Sequence, residues 1–345
     1  MNDRKKLKIE DLGEFGFIAR FSPGFVKNLP PRVLGIGDDC AVISWKGQKK
    51  LLVTTDLLID GVHFISEEIS PLDLGYKSLA VNLSDIAAMG GRPRWAFLSM
   101  AIPENTAISW LDDFFRGWKQ LSRQTGIHLL GGDTTSSKDG VVINVAVAGE
   151  AEGKYIKYRS GARPGDVVAV TGDLGDSEGG LRLILQKTPS SNLSPDERYL
   201  IRRHYRPRPH LEEGWFLARQ PEVRAMMDVS DGIDSDLRRI MERSGCGAKI
   251  HLETLPVSPA LKKCARRLGW NIEAVAAAGG EDYCLLLTVS RQEFPSLAER
   301  FYRRFGRPLS AIGQITAEKN QLLYLRDGHP VKLEKSGYDH FKRKK

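Results

Sequence analysis

Acidic residues in this chain repeatedly follow short apolar segments or glycine-rich turns. Apolar segments of roughly four to eight residues, bounded by turn residues, predict buried strands. The acidic motifs are Asp38-Asp39 after Gly35-Ile-Gly37, Thr54-Thr55-Asp56 after Leu51-Leu52-Val53, Asp133 after Ile127-His-Leu-Leu-Gly-Gly132, and Asp228-Val-Ser230-Asp231 after Ala225-Met-Met227. A solvated acidic surface would not place carboxylates at these points. The pattern predicts an α/β fold whose strands bring several carboxylates to one site.

The residue types in these motifs suit magnesium and phosphate. Carboxylate and hydroxyl oxygens are hard ligands of the kind that Mg²⁺ prefers, and zinc does not. Gly131 and Gly132 carry no side chains, so backbone N–H groups can approach a phosphate there. Any one motif taken alone is better explained as an Asx-turn or a helix N-cap. Together, the four favour a metal and phosphate site.

A further carboxylate lies inside a predicted helix. The segment from Pro71 to Met89 is rich in Leu and Ala on several faces, which predicts a buried helix. Asp85 is costly in such a helix unless it is paired or metal-bound. Asn82 precedes it by three residues and shares its face. We therefore expect Asn82 and Asp85 to point at the site; the alternative is a hydrogen-bonded polar pair within the helix.

Length and element order predict two domains. The chain has 345 residues, 41% of them hydrophobic, which is enough for two cores. A polar, glycine-bearing segment from 151 to 165 marks the boundary, so we expect an N-terminal domain over 1–150 and a C-terminal α/β domain over 151–345. The main predicted elements are helices over Glu14–Ala19, Trp110–Thr125, Glu178–Gln186, Glu212–Arg219, Asp236–Ser244 and Pro295–Phe305, strands over Val141–Ala148 and Val167–Thr171, and a loop over Thr188–Glu197.

Cysteine usage and charge exclude several classes of protein. The four cysteines show neither a disulfide framework nor metal-ligand spacing, which favours a cytoplasmic protein. No apolar run approaches the roughly 18 residues of a membrane span, and no signal core follows Met1. The net charge of +8 is diffuse, with clusters only at Arg202–Arg206 and Lys342–Lys345. We expect no nucleic-acid partner and no membrane association.

The common nucleotide-binding motifs are also missing. The chain has no G-x-x-x-x-G-K-[ST] loop, no G-x-G-x-x-G before a helix and no kinase catalytic loop. If the acidic motifs hold metal and phosphate, a different nucleotide-binding fold is required.

Several motifs together resemble the thiamine-monophosphate kinase family, within the aminoimidazole ribonucleotide synthetase-like superfamily. The resemblance runs nearly end to end. It rests on Gly13-Glu-Phe, Gly37-Asp-Asp39, Thr54-Thr-Asp-Leu-Leu-Ile-Asp-Gly-Val-His-Phe64, Lys77-Ser-Leu-Ala-Val-Asn-Leu-Ser-Asp-Ile-Ala-Ala-Met-Gly90, Gly131-Gly-Asp-Thr-Thr135, Arg159-Ser-Gly-Ala-Arg-Pro-Gly-Asp166, Asp228-Val-Ser-Asp-Gly232, Gly279-Gly-Glu-Asp-Tyr283 and Gly337-Tyr-Asp-His340. Two departures from the family pattern, Cys284 for a glutamate and Ile233 for a leucine, remove no proposed ligand.

The resemblance implies a two-domain fold, a partner and a set of site residues. An N-terminal mixed-sheet domain would bind ATP and Mg²⁺ and form a barrel with its copy in a homodimer, and a C-terminal α/β domain would cover the site. The implied metal ligands are Asp39, Thr54, Thr55, Asp56, Asp85, Asp133, Asp228 and Asp231. The implied ATP-binding residues are Gly132, Asp133, Arg159 and Ser230, and the implied thiamine monophosphate-binding residues are His63, Glu281 and Tyr338.

The implied reaction is direct in-line phosphoryl transfer from ATP to thiamine monophosphate, giving thiamine diphosphate, at a site that holds several Mg²⁺ ions. Without the resemblance, Arg159 is either a phosphate-binding residue or a surface loop residue. His63 is then interpreted as a strand-end histidine and Tyr338 as a packing residue of the tail. Two rival functions remain. One is another superfamily activity, an ATP-dependent ligase or dikinase. The other is a nucleotide-sensing or nucleic-acid-binding protein that has lost catalysis.

Overall fold

Two mixed β-sheets, each with its own helices, form the chain in this computed structural model, which describes residues 9–27, 29–187 and 190–333. The first half contains helices α1 (Ile9–Phe21), α2 (Pro23–Val26), α3 (Pro71–Ala88) and α4 (Ile108–Thr125), and strands β1 (Val33–Leu34), β2 (Ala41–Ser44), β3 (Lys49–Ile59), β4 (Arg92–Pro103), β5 (His128–Ser137) and β6 (Val142–Glu152). These strands form one six-stranded sheet in the order β1-β2-β3-β6-β4-β5, in which only β4 and β5 are parallel.

The second half contains a seven-stranded sheet flanked by helices. Its strands are β7 (Val167–Val170), β8 (Val223–Asp228), β9 (Gly247–His251), β10 (Leu285–Val289), β11 (Ser310–Thr316), β12 (Leu322–Arg326) and β13 (His329–Val331), and its helices are α5 (Asp176–Leu185), α6 (Pro195–Tyr205), α7 (Leu211–Ala218), α8 (Ile233–Ser244), α9 (Pro259–Leu268), α10 (Ile272–Ala278) and α11 (Phe294–Phe305). Short 3₁₀ helices span Gly153–Tyr155, Ser190–Asn192 and Leu252–Thr254. The strand order is β13-β12-β9-β11-β7-β10-β8. The predicted two-domain α/β fold is confirmed; the division at residue 150, two residues before β6 ends, stays a prediction.

Helix α3 is the central element between the two sheets. Ser70 caps its N-terminus by accepting a hydrogen bond from Asp73 N, and Pro71 occupies the first turn. The helix packs against α4 on one side and against α7 and β8 of the second half on another. Its contact with α4 requires glycine on both helices: a Cβ at Gly75 would lie 1.9 Å from Phe114 O, and one at Gly117 would lie 1.8 Å from Leu72 O.

Two predicted strand ends were wrong. Thr54-Thr55-Asp56 lies in the middle of β3, and Gly131-Gly132-Asp133 lies within β5. Thr54 and Thr55 are β-branched, so they continue the strand instead of ending it. In β5, parallel pairing with β4 extends the strand through the two glycines. The acidic residues of both motifs therefore lie on sheet faces.

Other element predictions were confirmed with shifted ends, and some helices were missed. The helix predicted over Trp110–Thr125 exists as α4 and ends at Gly126, whose φ is 70°. The predicted loop over Thr188–Glu197 is wrong at its end, because Ser194 and Glu197 form a capping box that begins α6. Helices α9 and α10 were not predicted. Among the described residues, no helix combines the length and apolarity that a membrane span requires.

Candidate active site

Three carboxylates from distant parts of the chain meet where the two halves join. Asp39 lies in the turn before β2, Asp85 in α3 and Asp228 at the end of β8, and one oxygen of each lies within 4.8 Å of the others. Asp39 and Asp228 are buried. Ser84 Oγ donates to Asp228 Oδ2 at 2.6 Å. Ser84 therefore holds the carboxylate of the second half, and the next residue of α3, Asp85, supplies a carboxylate of the first half. The arrangement suits a cation, because three clustered anions repel one another.

Burial and repulsion between carboxylates raise pKa values at this cluster. Burial raises the pKa of Asp228 to about 7, and Asp39 adds to the rise. Burial raises the pKa of Asp56 to about 6. The pKa of Asp85 lies well above its ordinary value, first because of burial and then because of Asp56 and Asp228. A divalent cation among these oxygens would relieve both the desolvation and the repulsion.

Strand β3 adds Thr54 and Asp56 to the cluster from its inner face. Thr54 Oγ1 donates to Asp85 Oδ2 at 2.5 Å. The amide of Asp56 donates to Asn82 Oδ1 at 3.1 Å, which ties the strand to α3. Asn82 and Asp85 therefore both face this site, as their spacing predicted.

Arg159 brings a positive charge to the cluster. Its Nη2 donates to Asp39 Oδ1 at 2.8 Å, and its amide donates to Asp38 Oδ1 at 2.6 Å. Burial alone would lower the pKa of the guanidinium, but the charge and hydrogen bond of Asp39, together with Asp228 and Asp85, raise it. Within the described ranges, Asp39 Oδ2 and Arg159 Nε are buried without a hydrogen-bond partner. These two atoms are available to a ligand at the cluster.

Thr55, Gly132 and Asp133 do not join this cluster within one chain. Thr55 is exposed, whereas the adjacent Thr54 is buried, so the two lie on opposite faces of the sheet. The strand register places Asp133 on the same face as Thr55. Asn144 Nδ2 donates to Thr55 Oγ1 at 2.9 Å on the outer face. Strands β6 and β4 lie between β3, which carries Asp56, and β5, which carries Gly132. Three strand spacings, about 14 Å, therefore separate these two residues.

Ser230 and Asp231 lie in the turn between β8 and α8. The carbonyl of Ser230 accepts a hydrogen bond from Glu281 N at 2.7 Å, and Asp231 N donates to Asp236 Oδ2 at 3.3 Å. Burial raises the pKa of Asp236 well above its ordinary value, and the charge of Asp231 adds to the rise. This turn follows directly from Asp228, so it borders the carboxylate cluster.

Glu281 lies between the two halves and contacts residues from each. Lys77 Nζ lies 3.0 Å from Glu281 Oε2, and His204 Nδ1 lies 3.3 Å from the same oxygen. His63 lies in the turn after β3, where its Nδ1 accepts a hydrogen bond from Ile59 N at 3.0 Å. Burial raises the pKa of Glu281, but Lys77, His204 and, as a smaller contribution, His63 together lower it. His63 and Glu281 therefore belong to one region.

Some functional contacts were missed from the sequence, and one predicted residue cannot be placed. Lys77 and Ser84 lie within a quoted motif, and their spacing of seven residues, which places them on one face of α3, was the available signal. Asp38 belongs to a predicted acidic motif, but its contact with Arg159 was not predicted, and His204 carried no signal, because the partners of both residues are distant in sequence. Tyr338 falls outside the described residues. Cys284, the family departure, is fully buried, and burial raises the pKa of its thiol well above its ordinary value.

Comparison with known proteins assigns the family. Models of the N-terminal and C-terminal domains of AIR synthase related proteins match residues 37–151 and 163–325. These matches, with the two-sheet fold and the acidic junction, place the chain among the AIR synthase related proteins. Within that class, the chain belongs to the thiamine-monophosphate kinase family, which confirms the resemblance.

Individual relatives match along almost their whole length. The chain is 39% identical to the thiamine-monophosphate kinase of Escherichia coli (strain K12) over 332 residues, which covers 95% of this chain and 98% of the relative. It is 37% identical to that of Bacillus subtilis (strain 168) over 332 residues, with 96% and 100% coverage. A solved structure described as AaThiL complexed with AMPPCP and TMP has a TM-score of 0.85 and 34% identity, and covers 97% and 99% of the two chains.

Proposed function

We propose that this chain transfers the γ-phosphoryl group of ATP to thiamine monophosphate, giving ADP and thiamine diphosphate, the last step of thiamine diphosphate biosynthesis. The carboxylate cluster of Asp39, Asp85 and Asp228 is the observation that carries the proposal, because phosphoryl transfer needs anion neutralisation at one point. The relatives bear the name of this kinase, and a structural neighbour is described with an ATP analogue and TMP.

The reaction needs positioning more than acid–base chemistry. The attacking oxygen belongs to a phosphate that is already ionised at neutral pH, so no general base is required. The protein must hold two anionic groups in line and offset their repulsion. We therefore assign no catalytic role beyond that of the carboxylates and Arg159, and we expect no phosphoenzyme.

The residues at the junction fit Mg²⁺. Asp39 Oδ2 is buried without a hydrogen-bond partner in the described part of the chain, and the neighbouring carboxyls have raised pKa values. When bound, Mg²⁺ would neutralise the phosphates of ATP and thiamine monophosphate. The proposed ligands are Asp39, Thr54, Thr55, Asp56, Asp85, Asp133, Asp228 and Asp231.

The remaining site residues divide between the two substrates. We assign Gly132, Asp133, Arg159 and Ser230 to ATP, with Arg159 supplying a guanidinium that can contact phosphate in a forked geometry. We assign His63, Glu281 and Tyr338 to thiamine monophosphate. Glu281 offers a hydrogen-bond acceptor to the pyrimidine, and Tyr338 offers an aromatic face to the cationic thiazolium.

The position of Asp133 favours a homodimer. Side chains at Asp133 and Thr55 lie on the outer sheet face, together with the exposed apolar residues Leu57 and Phe97, which are each 47% exposed. About 14 Å separates Asp56 on β3 from strand β5, which carries Asp133. Asp133 therefore reaches a carboxylate cluster only if that cluster belongs to a second copy. We propose that the N-terminal sheets of two copies pack into a barrel and complete each other's sites. We also propose a cytoplasmic location, consistent with four free, buried thiols.

A direct assay tests this function. The purified protein is incubated with ATP, Mg²⁺ and thiamine monophosphate, and thiamine diphosphate is followed by chromatography. We expect product from the wild type and at least a hundredfold lower rate from Asp56→Ala, because a charge at the cluster is lost. Asp112→Ala, at an exposed position of α4, is the matched control and should keep the wild-type rate.

The alternative outcomes are informative. ATP binding without any product from folded protein would contradict the kinase assignment and favour the sensor hypothesis. Turnover of ATP with a ribonucleotide and not with thiamine monophosphate would favour the ligases of the superfamily.

A further inference from the structure

A buried ion pair beside the carboxylate cluster joins the two halves of the chain. The side chain of Lys77 on α3 is 1% exposed, and its ammonium contacts Glu281 Oε2 at 3.0 Å. His204 of α6 is 5% exposed, and its Nδ1 lies 3.3 Å from the same oxygen. Lysine is almost never fully buried without a partner. The Glu281 carboxylate is therefore the partner that stabilises the buried Lys77 ammonium.

The backbone around Glu281 is held in an unusual conformation. Glu281 has a φ of 62° and Tyr283 a φ of 51°, a left-handed region that large side chains rarely adopt. Hydrogen bonds from Glu281 N to Ser230 O and from Tyr283 N to Val229 O fix the segment to the turn after β8. Strain of this kind persists where the surroundings impose it, and it concentrates at ligand-binding sites.

The charges around Glu281 determine which groups donate hydrogen bonds. Burial raises the pKa of Glu281, but Lys77, through its charge and its hydrogen bond, together with the neighbouring histidines lowers it below its ordinary value, so the side chain is a carboxylate. Burial, with Lys77 nearby, lowers the pKa of His204 to about 4, so its imidazole is neutral. Nδ1 of His204 lies 2.9 Å from Ser177 Oγ, its hydrogen-bond partner, and 3.3 Å from Glu281 Oε2. The hydrogen bond that Lys77 Nζ donates to Oε2 fixes the orientation of the carboxylate, and His204 lies beside it.

We propose that Lys77, supported by His204, is a positioning residue for substrate recognition. The pair holds Glu281 so that its other oxygen, Oε1, accepts a hydrogen bond from the amino group of the substrate's pyrimidine. The Glu281 side chain is 27% exposed, which leaves it accessible to a ligand. This inference rests on the proposed function, because it names the part of thiamine monophosphate that Glu281 recognises.

The spacing along α3 agrees with this role. Ser84, which bonds Asp228, follows Lys77 by two helical turns, about 10 Å along the axis. Lys77, which contacts the Glu281 carboxylate, therefore leaves α3 two helical turns from the residue that bonds Asp228, a separation that suits the ring end of a phosphate ester whose phosphate is at the cluster.

Steady-state kinetics of the full chain test the role of Lys77. We compare wild type, Lys77→Met, Lys77→Arg, Glu281→Gln and the Lys77→Met/Glu281→Gln double variant, with Lys119→Met on the exposed side of α4 as control. We expect Lys77→Met to raise KM for thiamine monophosphate at least tenfold while KM for ATP changes less than twofold. Lys77→Arg should recover part of the loss. In the Glu281→Gln background, Lys77→Met should add less than twofold, because its target is gone.

A second probe identifies the recognised group. Oxythiamine monophosphate carries oxygen in place of the pyrimidine amino group. The wild type should prefer thiamine monophosphate by at least tenfold in kcat/KM, and Lys77→Met should lose most of that preference.

The outcomes separate this inference from the proposed function. A wild type that does not phosphorylate thiamine monophosphate contradicts the function itself. An active wild type whose Lys77→Met variant keeps its KM for thiamine monophosphate within twofold overturns the inference alone, as do equal rises in both KM values. If circular dichroism shows Lys77→Met to be unfolded, Lys77→Gln takes its place under the same criteria.

Discussion

At the scale of single residues, His210 shows how burial fixes a protonation state away from the site. It is 1% exposed, and its Nδ1 lies 2.6 Å from Thr171 Oγ1 and 3.2 Å from Arg307 Nη2. Arg307 can only donate, so Nδ1 accepts, and Thr171 in turn accepts from Leu285 N. Burial, followed by Arg307, lowers the pKa of His210 well below its ordinary value. Protonation would therefore break this network.

A pH dependence of stability follows from this lowered pKa. A depressed folded-state pKa contributes stability that is complete above the unfolded value of 6.5 and is lost as pH falls below it. Between pH 6.5 and 4.5, the free energy of unfolding of the wild type should fall more steeply than that of His210→Asn, by up to about 1.4 kcal/mol per pH unit. Urea unfolding at several pH values measures this slope. His329→Asn, at an exposed histidine of β13, should match the wild-type slope; parallel curves for His210→Asn would contradict the argument.

At the scale of elements, α3 connects the local sequence to the site. Its Leu and Ala content predicted a buried helix, and that prediction was confirmed because helix periodicity is a local property. The ends of the strands were harder to predict from the sequence, because a strand continues for as long as a neighbouring strand pairs with it. Pairing with β6 continues β3 through Asp56 to Ile59, and pairing with β4 continues β5 past Gly131 and Gly132. Neither partner can be identified from the local sequence.

The close packing of α3 on α4 gives a prediction about stability. Gly117→Ala would place a Cβ 1.8 Å from the carbonyl oxygen of Leu72, so the helices must separate. We expect a loss of about 1–3 kcal/mol in the free energy of unfolding, the usual cost of overpacking. Denaturant unfolding measures it, with the exposed Lys119→Ala in the same helix as control. A loss no larger than that of the control would show that the crossing tolerates a methyl group.

At the scale of the whole molecule, the proposed dimer predicts that two inactive variants restore activity when mixed, which a monomeric enzyme could not do. Asp133 lies on the outer sheet face, whereas Asp228 lies in the cluster between the two halves. We expect Asp133→Ala and Asp228→Ala each to be inactive alone. Refolded together in equal amounts, they should recover about a quarter of the wild-type rate, since half the dimers then carry one intact site of two.

A matched pair controls this complementation. Asp85→Ala mixed with Asp228→Ala removes two residues of the same cluster, so no mixed dimer has an intact site and no activity should return. Failure of the Asp133 and Asp228 pair to complement, with dimers confirmed by light scattering, would show that Asp133 does not act across the interface.

The sequence by itself determined the fold class, the family, and the motifs that supply Asp39, Asp85 and Asp228. These features depend on local patterns of apolar, acidic and glycine residues, which are visible along the chain. Only the tertiary structure decided which of the motifs meet. It brought Asp39, Asp85 and Asp228 within 4.8 Å of one another, and it placed Thr55 and Asp133 on the opposite face of the sheet. The physical reason is that strand register and helix packing, set by contacts between distant residues, determine which face and which neighbours each side chain has.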